Sequence, residues 1–127
     1  MTAPQPWGQG GSGGAGVQEA FMLSQVIDQR RKSQKPWLEF LRVPALSMGI
    51  YSLPAGAEDP QAPHREDEVY YVVSGRATLR VGNEERVVEP GSIVFVGANV
   101  KHRFHSIKED LTSLVFFAPA AGVNAKK

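Results

Sequence analysis

A chain of 127 residues is long enough for one domain with a real core and too short for two. Lysine plus arginine number 14 against 13 for aspartate plus glutamate, so charge gives no ground for nucleic acid or an anionic membrane as partner. There is no cysteine, which excludes disulfides, thiolate catalysis and cysteine-held zinc, and no stretch is long and apolar enough to span a bilayer.

The start of the chain lacks a charged segment followed by an apolar run, so a cytoplasmic location is the default expectation. Residues 1–16 are dominated by Gly, Pro, Gln and Ser. Such a segment buries too little apolar surface to offset its ordering entropy, and a disordered leader is expected. Residues 17–36 form a helix and connector: Phe21, Leu23, Val26, Ile27 and Arg30 recur at roughly helical spacing over Val17 to Lys32. Arg30-Arg31-Lys32 is the polar end of that helix. Its apolar side needs a partner, either the barrel beneath it or a second subunit.

From Trp37 the texture changes to short apolar or alternating runs separated by turn residues. The expected strands are 37–43, 45–53, 69–74, 76–81, 86–89, 92–96, 101–107 and 112–118. Pro44, Pro54-Ala55-Gly56, Ser74-Gly75, Gly82-Asn83, Pro90-Gly91 and Gly97-Ala98-Asn99 punctuate them. Gly82-Asn83 suits a tight hairpin. No helical run interrupts the series, which disfavours a parallel βαβ sheet. An all-β, antiparallel jelly roll or small barrel over residues 37–119 is expected, followed by a tail over 120–127. Ile93 to Val96 is apolar on both faces, as suits a strand covered on its outer side by another sheet or a dimer partner.

His64 and Glu68 on one segment, with His102 on another, carry the chemistry. Two imidazoles and one carboxylate are a preferred ligand set for a first-row divalent metal, and bound on one face they leave positions open to water or substrate. In a straight strand Ala62, His64, Glu66, Glu68, Tyr70 and Val72 share a face. Glu66 then supplies a further ligand if the strand stays regular, and lies in solvent if it turns. His105, three residues beyond His102, faces the other way and is read as a surface or hydrogen-bonding residue. Gln61 and Arg80 have the reach to touch a ligand, although a solvated strand role suits Arg80 better. The alternative to a metal site is a buried hydrogen-bonded pair of His64 and Glu68.

The order Gly56, five residues, Ala62, Pro63, His64, three residues, Glu68, six residues, Gly75 resembles the first motif of the cupin superfamily. Every anchor is present except the first histidine, which is Ala62. The order Gly91, five residues, Gly97, Ala98, Asn99, two residues, His102, three residues, Ser106 is similar to the second motif. Its leading Gly and its His match, whereas its Pro, second Gly and Asn are replaced by Gly97, Asn99 and Ser106. The resemblance implies a six- to eight-stranded jelly-roll barrel, usually a homodimer, with a metal in its mouth. It implies His64, Glu68 and His102 as ligands of iron, manganese, nickel, copper or zinc, the position of Ala62 having lost the fourth.

Because such barrels host many functions, fold does not decide between them. The first expectation is a metal-dependent enzyme, dioxygenase-like or isomerase-like, acting on a small oxygen-containing molecule, with Glu66 and Tyr70 as candidates for proton transfer. The alternatives are a non-catalytic module that binds or senses a small molecule or metal, and a structural barrel with a vestigial site.

Overall fold

The computed structural model describes residues 19–60 and 63–123. The expected leader over 1–16, the start of the expected helix at Val17, Gln61, Ala62 and the end of the tail lie outside the described residues.

One helix, α1 (Leu23–Ser33), precedes six strands: β1 (Trp37–Val43), β2 (Leu46–Leu53), β3 (Asp67–Val81), β4 (Glu84–Val88), β5 (Ile93–Val96) and β6 (His102–Ala118). The helix starts later than its periodicity predicts. Met22 is extended (φ −96°, ψ 125°), and Phe21 packs edge-on against Phe40 of β1 with ring centroids 4.9 Å apart. That contact keeps the chain before Leu23 out of the helix. At the other end Gln34 takes the left-handed conformation (φ 60°) and donates its N–H to the Arg31 carbonyl, closing the last turn. Val26 is buried, and α1 packs on β1 and β2, so the partner of its apolar side is the barrel.

All strand pairings are antiparallel, in the order β1-β2-β6-β3-β4, with β5 paired to the first part of β3. The tight hairpin occurs where it is expected: Val81 faces Glu84 across Gly82-Asn83, and Gly82 has φ +58°.

Six strands stand where eight were expected, because two turn-like breaks bend a strand without ending it. Ser74-Gly75 lies inside β3, and the charged run Lys108-Glu109-Asp110 lies inside β6. The ladder between β3 and β6 shifts register between Val72 and Thr78. Gly75 there has φ +97°, and Ser106 on the opposing strand has φ +52°. A Cβ on Gly75 would meet the backbone of Asp110 and lie 2.6 Å from Leu111 Cα. The charges of β6 face outward, with Arg76 within 3.6 Å of Glu109 across the ladder, while Leu111 is fully buried.

This bend builds the barrel. Glu68 pairs with Phe117 at one end of the ladder, and Val81 pairs with His102 at the other. A straight strand would separate Glu68 from Val81 by about 40 Å. Here the ladder folds back on itself and encloses Tyr70, Val72, Leu79, Val88, Val96, Phe104, Leu111 and Val115 in one core. Outside, Val87, Ile93 and Phe95 are 79%, 71% and 62% exposed. Among the described residues, nothing covers the outer side of β5.

Candidate metal centre

The folded-back ladder brings the two motif segments into contact, and the backbone joins them there. Asn99, in the left-handed conformation (φ 67°), donates its N–H to the His64 carbonyl at 2.6 Å. Ala98 donates its N–H to Asp67 Oδ1 at 2.9 Å. Asn tolerates this conformation better than most residues, which explains a turn-forming residue at that position.

His64, Glu68 and His102 converge. Each offers a ligand atom, and those atoms all lie within 4.8 Å of one another. Glu68 is fully buried on the central strand β3, between β5 and β6. Its Oε1 lies 3.1 Å from His102 Nε2, but the two are poorly aligned, and both are buried atoms without a hydrogen-bond partner. Two orphaned polar atoms side by side are costly in a protein interior. A divalent cation satisfies both at once, so the donor set fits a metal. Of the carboxylate's two imidazole neighbours, His102 comes within 3.1 Å of it.

The tautomer of His102 is fixed by its surroundings. Nδ1 lies 2.8 Å from the Val100 carbonyl, which can only accept, so Nδ1 carries the proton and Nε2 presents a lone pair toward Glu68. Burial works against the imidazolium, yet Glu68 and the Val100 carbonyl outweigh it and hold the His102 pKa above its usual 6.5. In the metal-free chain, stability from protonated His102 is full below 6.5 and is lost as pH rises through the higher folded value. Metal binding has the opposite dependence, because the ion needs the neutral ring. Apparent metal affinity should therefore fall about tenfold per pH unit below the raised His102 pKa. A chelator competition run from pH 8.5 to 5.5 checks this, with the break expected above 6.5.

Among the other residues singled out in the sequence, Tyr70 is fully buried and lines a cavity with His64 and Glu68, its ring centroid 6.0 Å from that of His102. Glu66 lies in a bend before β3 rather than on a strand, and is buried rather than in solvent. It does not join the three-residue group. His105 also stays outside that group; its Nε2 meets Glu85 Oε1 at 2.7 Å. Arg80 is a half-exposed strand residue paired to Glu85 at 2.7 Å.

The cavity holds about 190 Å³ and is lined by Trp37, Tyr51, His64, Glu68, Tyr70, Val115 and Phe117. Sequence reasoning missed Trp37, Tyr51 and their support, Asp59. The signal for Trp37 was Gly49, an isolated glycine within a strand. A Cβ at Gly49 would lie 2.5 Å from Trp37 Cζ2 and 2.6 Å from the Leu38 carbonyl oxygen. Only glycine lets the indole lie across β2, edge-on to Phe117 with centroids 6.0 Å apart. Asp59 is buried and accepts the Tyr51 hydroxyl at 2.6 Å and the Phe104 N–H at 2.9 Å. Burial, then Asp59, pushes the Tyr51 pKa up, so this hydroxyl remains a donor. Asp59→Ala strands two buried donors and should cost about 2–4 kcal/mol in a urea melt.

The family model for the cupin domain matches residues 49–117. An uncharacterised protein of Streptomyces coelicolor is 48% identical over 101 residues, covering 80% of this chain and 96% of the relative. A crystal structure from Thermus thermophilus is 26% identical, with a TM-score of 0.58 over 66% of this chain and 84% of that one. The DMSP lyase DddQ of Ruegeria pomeroyi shares the fold at 20% identity, with a TM-score of 0.59 over 68% of this chain and 49% of that one. Among the described residues no helix is long and apolar enough to cross a membrane.

Proposed function

The chain belongs to the cupin family, and from that premise we propose that it is a metal-dependent enzyme, dioxygenase-like or isomerase-like, acting on a small oxygen-containing molecule. His64, Glu68 and His102 hold one divalent transition ion. The observation that carries this reading is the unpartnered pair Glu68 Oε1 and His102 Nε2, buried 3.1 Å apart, with a His64 ring nitrogen within reach of the same point. Three protein ligands leave coordination positions open, which suits catalysis better than a closed structural site. When bound, the ion supplies Lewis acidity toward a substrate oxygen.

The remaining residues select and orient the substrate. A cavity of about 190 Å³ is smaller than the pockets that take drug-sized molecules, so the substrate is small. Trp37, Tyr70, Val115 and Phe117 give it an apolar wall, and Asp59, accepting the Tyr51 hydroxyl, fixes the orientation of the second phenol of the cavity. Tyr70 is the better placed of the two proton-transfer candidates, because it lines the cavity with His64 and Glu68 and Glu66 does not. The working unit is a homodimer closed over Val87, Ile93 and Phe95, since exposed apolar side chains on neighbouring segments mark an interface.

Elemental analysis followed by turnover assays tests the proposal. Chain reconstituted with iron, manganese, nickel, copper or zinc is incubated with diketones, flavonoids, thiols and sugar phosphates. Metal-dependent consumption of one class, abolished by His102→Ala, is the expected result. Stoichiometric metal with no turnover across the panel would instead favour a binding or sensing role.

A further inference from the structure

We propose that the cleft on the outer face of the barrel, between the Gly82-Asn83 turn and the start of β6, binds a small anion bearing a phosphate group. This cleft is a different cavity from the one lined by His64, Glu68 and Tyr70, and it shares only His102 with the three metal donors. The cleft holds about 480 Å³; its charged lining is Arg80, Glu85, Lys101 and Arg103, and Asn83 and His105 also line it.

Charge on this face is unbalanced. Three cations face one carboxylate, a net of two positive charges, on a chain whose formal charge is only +1. The carboxylate is already engaged, because Glu85 meets Arg80 at 2.7 Å and His105 at 2.7 Å. Among the described residues, no carboxylate lies within ion-pair distance of Lys101 or Arg103. Arg80 and Arg103 are moreover direct partners in the β3–β6 register. Like charges placed opposite each other across a ladder destabilise it, and they do so at the floor of a concavity. A dianion between them turns that repulsion into attraction. Guanidinium forks match phosphate oxygens two at a time, and the lysine adds a point charge. The cleft also touches Pro63 and His102, the latter one of the three metal donors, so its occupant sits against the metal centre.

The test uses the full-length chain labelled with ¹⁵N and titrated with inorganic phosphate, then with glycerol 3-phosphate, against potassium chloride at equal ionic strength. The expected result is saturable shifts at the amides of Gly82, Asn83, Lys101 and Arg103. Tighter binding of the ester identifies a phosphorylated metabolite as occupant, and tighter binding of inorganic phosphate identifies the free ion. The double variant Lys101→Gln/Arg103→Gln should weaken binding about tenfold or more. Without phosphate, Arg103→Gln should melt no lower than the parent chain, because it removes the opposed pair. Shifts that never saturate, that centre on His64 and Glu68, or that persist unchanged in the double variant overturn the proposal.

Discussion

Gly75→Ala is expected to destabilise the chain by about 2–5 kcal/mol and to abolish metal uptake with it. Two costs add at this position. The backbone sits at φ +97°, which a side chain resists. The new methyl would also run into the backbone of Asp110 and Leu111, which cannot swing aside as a flexible side chain can. Both strands would have to separate at the bend that folds the β3–β6 ladder over the core. Gly91→Ala provides the control. Its φ is +95°, but nothing lies within 4 Å of the added carbon. That variant carries the backbone cost alone, about 1–3 kcal/mol. Urea melts of the two variants side by side check the claim. Equal losses would show that the close approach of β3 and β6 at Gly75 contributes nothing.

The second large effect concerns the donors. His102→Ala and Glu68→Ala should each weaken metal binding by more than about 100-fold, since even the partners behind metal ligands are worth 10- to 100-fold. Thermal melts report the same loss independently. An ion at 100 times its dissociation constant stabilises the parent chain by about 2.7 kcal/mol, and this gain should vanish in both variants. Both variants are expected to fold, because the apolar cluster around Tyr70, Leu79, Phe104 and Leu111 is left intact. Should the metal-dependent gain persist in either variant, that residue is not a ligand.

Why so much of the site was legible follows from the spacing of the motifs. His64, Glu68 and His102 sit beside glycines and turn residues whose conformations set the segment ends, so the sequence pointed to the residues that converge. Asn99 is an example: a turn-forming residue where the second motif calls for Gly, and in the left-handed conformation as that place demands. The two overlong strands were not legible, because a local pattern cannot separate a turn from a bend. Ser74-Gly75 has the composition of a turn, and only pairing with β6 on both sides keeps it within a strand. The place of Glu66 depended on whether the chain before β3 was straight, which alternation presupposes and cannot establish. Asp59 was invisible for a further reason. An Asp before a Pro reads as a loop residue, and its partners lie 8 and 45 positions away in the chain.

The central claim is that three side chains from folded-back strands grip one cation. Anomalous diffraction from crystals of the metal-loaded chain, recorded on both sides of the absorption edge of the ion, tests it most directly. One peak per chain is expected, within about 2.0–2.2 Å of a ring nitrogen of His64, an oxygen of Glu68 and Nε2 of His102. A map with no peak among these three residues, or with the ion held elsewhere while Glu68 and His102 face each other alone, would contradict it.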